Sequence, residues 1–223
     1  MNFCPIPPVK ILSQVLKSRK TWFALAQEFD EGMLQLYQDR PEDIMVILDN
    51  GAYEGCLTVA EYTRTLAMIH PKIAVLPDLI LGPWRRSANL SLGFLEMVNF
   101  PQVEWMYVPQ AEPRDKEGWL KALHAGAEDP RVSWIGLPRN MVTDVFKMPL
   151  ARVFYAEYIR DKFPRLKVHA LGMVNGYIPE LPFLVQAGVE SVDSSCPFNA
   201  ENIDQWEIKL KEIDDACQNL LTL

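Results

Sequence analysis

Short, largely apolar runs recur along this chain, and each closes on a polar or backbone-special residue. The clearest are Ile44–Leu48 before Asp49-Asn50-Gly51, Ile73–Leu76 before Pro77-Asp78, and Trp105–Val108 before Pro109-Gln110. Val132–Ile135 before Gly136-Leu137 and Val189–Val192 before Asp193-Ser194 follow the same pattern. Runs this short and this apolar predict strands of a parallel sheet covered on both faces. Thr21–Ala26 and Leu166–Gly172 add two more strands, for seven in all. Between them the spacing predicts helices at Val9–Ser18, Thr58–Ile69, Ser87–Val98, Lys116–Ala125, about Pro149–Phe163 and Ile178–Ala187. Thr58 is placed to N-cap its helix, and Gly188 falls where a C-cap is needed before the last strand. A final amphipathic segment, Asn202–Leu221, packs on the body or forms a dimer contact.

Strand-then-helix alternation of this kind predicts an α/β fold. We expect a compact TIM-like (β/α)8 barrel, one domain over residues 1–223, with one unit missing or shortened. An open doubly wound sheet would need a switch point and commonly a glycine-rich first turn, and no G-x-G-x-x-G occurs. In a barrel, the residues closing each strand gather at the C-terminal rim. That rim would collect Asp49, Asp78, Gln110, Gly136 and Asp193.

Composition narrows the chemistry. The net charge of −7 argues against a strongly basic, sequence-indifferent nucleic-acid binder, while leaving room for a local basic surface on an acidic body. No run approaches the length needed to span a bilayer, and no signal peptide is evident, so a cytoplasmic protein is the expectation. Cys4, Cys56, Cys196 and Cys217 form no CxxC pair, and with His70, His124 and His169 they make no local zinc pattern. Reduced, mostly buried thiols and no metal or other cofactor are expected.

Around the rim a second set of residues follows the same strands: Trp84-Arg85-Arg86, Arg114 and Arg139-Asn140. Arginines ringing a mouth can bind phosphates, and an aromatic beside them can stack on a base. The plainer reading is a solvated loop whose cations balance the acids. Lys17-Ser18-Arg19-Lys20 precedes the first strand and reads as a solvated helix end on the opposite face. His169 lies within the sixth strand and reads as a satisfied core histidine, while Cys196 has no histidine placed to activate it.

The rim segments carry a resemblance. From about Trp22 to Phe198 the chain resembles the tRNA-guanine transglycosylases, and within that superfamily the shorter DpdA-like proteins linked to 7-deazaguanine modification of DNA. Asp49-Asn50-Gly51-Ala52-Tyr53 sits where the family has Asp-Ser-Gly-Gly-Phe, Pro77-Asp78 at its second strand-end Asp, and Val108-Pro109-Gln110 at its Val-Gln. Gly136-Leu137 resembles its Gly-Leu, and Gly188–Asp193 its Gly-Ile-Asp-x-Phe-Asp run. The chain departs at Ser195-Cys196-Pro197-Phe198, where the family commonly has Leu-Pro-Thr-Arg, and it lacks the zinc module of the tRNA enzymes.

The resemblance implies exchange of guanine in a nucleic acid for a 7-deazaguanine base, with the departures favouring DNA over tRNA. Asp193 would be the nucleophile and Asp49 would hold the base and its proton. Asp78, Gln110, Gly136 and Leu137 would read the base edge. Tyr53 and Phe198 would wall the pocket or simply pack in the core, and Trp84, Arg85, Arg86 and Arg139 would meet the polymer. Clustered acids suit a ligand rich in N–H donors, because such donors relieve the repulsion between carboxylates. Two rivals remain: a glycosyl transferase or hydrolase acting on small nucleosides or bases, and a non-catalytic partner subunit of an active homologue.

Overall fold

The computed structural model describes residues 1–8, 12–17, 19–52, 55, 58–173, 179–199 and 203–218. Among these residues eight parallel strands alternate with eight α-helices. The strands are β1 (Asn2–Pro5), β2 (Thr21–Leu25), β3 (Met45–Asp49), β4 (Ile73–Val75), β5 (Glu104–Tyr107), β6 (Val132–Pro138), β7 (Lys167–Leu171) and β8 (Ser191–Ser194). The helices are α1 (Leu12–Leu16), α2 (Glu31–Gln38), α3 (Val59–Ile69), α4 (Trp84–Met97), α5 (Lys116–Glu128), α6 (Ala151–Lys162), α7 (Leu181–Gln186) and α8 (Ile203–Gln218).

The hydrogen-bonded order runs β1-β8-β7-β6-β5-β4-β3-β2, all parallel. β1 and β2 end that order and lie side by side, so the sheet curls into a nearly closed TIM-like (β/α)8 barrel with its seam between them. No unit is missing, and the first is the shortened one: β1 has four residues and α1 five. The extra strand is β1, whose four residues end on Pro5, a residue with no N–H to give a ladder. Its pairing with β8 sets Cys4 beside Asp193.

Strand alternation divides the core in two. Cys4, Phe23, Ile47, Ile73, Val75, Met106, Val108 and Trp134 fill the barrel interior. Their neighbours Ala24, Val46, Leu48, Ala74, Leu76, Tyr107, Ile135 and Leu137 face the helix layer and join the larger core there. Helix boundaries follow local chemistry. Thr58 and Glu61 form a reciprocal capping box at α3, as the sequence suggests, and Asp30 caps α2 through the Met33 amide. Gly188, at φ +82°, closes α7 in the left-handed conformation that glycine adopts without strain. The last helix packs on the barrel rather than standing free: Ile213 and Cys217 are buried, and Asp214 pairs with Arg19. Of the Lys17–Lys20 run, Arg19 is thus tied to α8 and Lys20 to Asp43.

Candidate functional site

The C-terminal mouth holds two polar networks on opposite arcs of the barrel. The first centres on Asp78, just past β4. Its Oδ1 accepts from Asn50 Nδ2 at 2.8 Å and its Oδ2 from Gln110 Nε2 at 2.6 Å. Asn50 is itself fixed, donating to the Leu76 carbonyl at 2.7 Å and accepting from the Ala52 amide. Gln110 Oε1 accepts from the Leu81 amide at 3.3 Å and Asn140 Nδ2 at 3.4 Å. Leu81 sits at φ +51°, a strained setting for a leucine, and this amide bond helps to hold it.

Among the described residues no cation pairs with Asp78 in this cradle. Burial pushes the carboxyl up to about 6, against the opposing hydrogen bonds from Gln110 and Asn50. Asp49 lies on the same arc, partly buried, with its Oδ2 accepting the Gly51 amide at 3.0 Å. Burial, then the Asp49 and Asp78 carboxylates, hold the Tyr62 hydroxyl well above its usual range, which marks the two acids as neighbours.

The second network centres on Asp193 at the end of β8. It is 3% exposed and points into the barrel with the parity of Cys4 and His169. Oδ1 accepts from His169 Nε2 at 2.9 Å and from the Gly172 amide at 3.0 Å, while among the described residues Oδ2 meets only that amide, at 3.2 Å. His169 Nδ1 faces Ser191 Oγ at 2.7 Å, and the imidazole stacks on Phe23 across the interior at 5.8 Å between centroids. His169 is a satisfied, fully buried histidine, as its sequence suggests, but the group that satisfies it is Asp193. Ser194 does not help to hold Asp193: its hydroxyl donates to the Met173 carbonyl and accepts from the Cys196 amide.

The remaining sequence candidates fall out unevenly. Gly136 lies inside the barrel beneath Leu171 and Val108, and a Cβ there would come within 2.7 and 2.9 Å of their methyl carbons. Its lack of a side chain serves interior packing. Leu137 points to the helix layer and offers no side chain to the mouth, because strand alternation turns it away from Gly136. Trp84, Arg85 and Arg86 are not in a loop: α4 starts three residues earlier than its apolar spacing suggests, and they form its first turn. Trp84 is partly buried against the helix-facing core with the Arg85 guanidinium 5.3 Å from its ring centre. Arg86 is exposed on that first turn, and Arg114 and Arg139 are exposed on the connections at this same end. A six-residue π-helix, Met141–Phe146, follows Asn140, an irregularity often found beside functional sites. Phe198 is buried and pairs edge-on with Trp206 of α8, so it packs in the core. Tyr53 lies outside the described residues.

Asn50, Asn140 and His169 are named from the sequence without the contacts they make here, and Ser191 is given no role. Asn50 was visible as the departure from the family's Ser-Gly-Gly. His169 left a fainter mark, a polar residue at an interior-facing position within the otherwise apolar Val168–Leu171.

Among the described residues no group of three or more His, Cys, Asp or Glu side chains could hold a metal ion, and Cys4, Cys196 and Cys217 are buried free thiols. No described helix is long and apolar enough to cross a membrane. A surface depression of about 640 Å³, lined by Gln38, Arg40, His70 and their neighbours, lies at the opposite end of the barrel, away from these carboxyls. No protein-family model matches the chain, and no curated protein matches it. The mouth itself offers an oriented carboxylate able to attack an electrophile or take a proton, facing a dry carboxyl–amide cradle suited to N–H donors.

Proposed function

We propose that this chain is a base-exchanging glycosyl transferase that replaces guanine in a nucleic acid, DNA rather than tRNA, with a 7-deazaguanine. The observation that carries this reading is the pairing across one mouth of two differently held carboxyls. Asp193 is oriented by His169 and Gly172, and Asp78 is cradled by amides with its pKa raised to about 6. Carboxyls whose environments differ in this way commonly divide the labour of a glycosyl-transfer site.

In this mechanism Asp193 attacks C1′ of the target nucleotide. The new O–C1′ bond forms as the C1′–N9 bond breaks, and guanine leaves with the bonding pair and a proton from Asp49. The incoming base gives its own ring N–H proton to the Asp49 carboxylate as that nitrogen attacks C1′ and releases Asp193, so configuration is retained. Asp78 and Gln110 read the base from the far arc, with Asn50 and Asn140 holding them. Arg85, Arg86, Arg114 and Arg139, exposed at the mouth, meet the phosphates as a local basic set on an acidic protein.

The test is incorporation of labelled guanine into tRNA, duplex DNA and single-stranded DNA, each offered separately, with Asp193→Ala alongside. Label entering DNA, and lost in the variant, is the expected result. Label in no polymer from a folded protein would overturn the reading and favour a small nucleoside or a partner-dependent subunit.

A further inference from the structure

The two oxygens of Asp193 are not equivalent. Oδ1 takes two good donors, His169 Nε2 at 2.9 Å and the Gly172 amide at 3.0 Å, whereas among the described residues Oδ2 has only the long arm of that same amide at 3.2 Å. Behind Oδ1 the chain of contacts continues to Ser191 Oγ, 2.7 Å from His169 Nδ1, and both Ser191 and His169 are fully buried. Neither group is exposed to bulk solvent. Phe23 lies nearly parallel to the imidazole, with 16° between the planes, and limits its rotation.

We propose that Ser191 and His169 form a positioning relay for Asp193, which assigns Oδ2 as the attacking oxygen and Oδ1 as the oxygen held back. The Ser191 hydroxyl donates to Nδ1, and this fixes the imidazole proton on Nε2, where it is given to Oδ1. The inference rests on the glycosyl-transfer reading for its catalytic consequence, but its geometry stands apart from that reading.

The consequence appears in the second half of the reaction. Once Oδ2 is bonded to C1′, Oδ1 is the carbonyl oxygen of an ester, and the His169 and Gly172 donors still point at it. As the incoming base attacks C1′, the Oδ2–C1′ bond breaks and its electron pair returns to the carboxylate. The negative charge that grows on the carboxylate is met by donors already in place, the situation in which an oriented hydrogen bond contributes most. His169 thus acts through Asp193 and touches neither sugar nor base.

Two variants separate this role from packing. In His169→Gln the side-chain amide nitrogen stands as many bonds from Cβ as Nε2 does, so it keeps a donor for Oδ1. In His169→Asn the amide reaches only as far as Nδ1, so it keeps the Ser191 contact and loses Asp193. Exchange kinetics with guanine-containing DNA should show kcat of His169→Asn reduced by about 100-fold or more, on the scale of a lost oxyanion donor. KM for DNA should stay within about threefold, and His169→Gln should recover about tenfold or more of the loss.

Equal kcat in the two variants, both folded by circular dichroism, would overturn the relay. Nitrogen-15 imidazole spectra of histidine-labelled wild type provide a readout independent of turnover, with the His169 signal assigned by its loss in His169→Gln. A proton on Nε2 with bare Nδ1, disturbed by Ser191→Ala, is expected; a proton on Nδ1 would overturn the proposal. If the wild type exchanges no base, the functional reading fails while these spectra still decide the relay.

Discussion

The two ends of the barrel bury carboxylates in opposite ways. At the N-terminal end Glu104, the first residue of β5, accepts from Trp134 Nε1 at 2.7 Å and pairs with Lys72 and Lys167, each at 3.0 Å. Burial pushes this carboxyl up, but the hydrogen bonds from Trp134, Lys167 and Lys72 outweigh it and hold it down at about 2. At the C-terminal end Asp78 has amide donors and, among the described residues, no cation; burial wins, and the carboxyl rises to about 6. A charged lid with solvent-facing lysines closes the bottom of the barrel. A dry, amide-held acid waits at the top. The same chemical group is held charged in one place and pushed towards its neutral form in the other, and the choice of donor decides which.

Removing the proposed nucleophile is the sharpest way to probe that difference. Asp193→Asn, nearly the same in shape, should reduce base exchange about 10⁴-fold or more. Its melting temperature should stay within a few degrees, as read by thermal unfolding beside the exchange assay.

The pH dependence of stability should then carry opposite signs for the two ends. Asp78 has a folded pKa above its unfolded value, so the native state binds the extra proton between about 4 and about 6. Stability from this group therefore falls as pH rises through that window, by about 3 kcal/mol at most. Asp78→Asn should abolish that slope in denaturant unfolding series.

Glu104 works the other way. Its folded pKa is depressed, so its contribution is complete above the unfolded value near 4.5 and is lost as pH falls towards about 2. The loss should be about 2 kcal/mol, allowing for partial solvent screening. Glu104→Gln should flatten this acid limb and leave base exchange unchanged. If Glu104→Gln instead impaired exchange as strongly as Asp193→Asn, the division between a structural end and a chemical end would be wrong.

The smallest effect should come from between the ends. Gly136→Ala places a methyl 2.7 Å from a Leu171 methyl and 2.9 Å from one of Val108. Because these are side-chain tips that can give way, the cost should be about 1 kcal/mol in the same unfolding assay.

Much of this architecture is written in the chain. Apolar runs ending in Asp49, Asp78, Gln110 and Asp193 announce buried parallel strands, and the strand-end residues do gather at one mouth, because parallel order forces every C-terminal strand end to the same side. β1 escaped because Asn2–Pro5 has only two residues, Phe3 and Cys4, of strand-like character before a proline-rich stretch. The contacts that organise the site were harder to see. His169 meets Ser191 and Asp193 through the register of β7 on β8, and Asn50 meets Asp78 through the spacing of the β3 and β4 ends. Register between strands is set by the whole packed barrel, not by either segment alone. Leu137 shows the converse: alternation from Gly136 already turns it outward.

The central claim is that Asp193 becomes bonded to the sugar. End-labelled guanine-containing DNA would be incubated with the protein, quenched in denaturant and resolved by gel, with wild type, Asp193→Asn and Glu104→Gln in parallel lanes. A labelled protein band in wild type and Glu104→Gln, absent from Asp193→Asn and mapped to the Asp193 peptide, is expected. Base exchange by wild type without such a band, or a band that persists in Asp193→Asn, would contradict it.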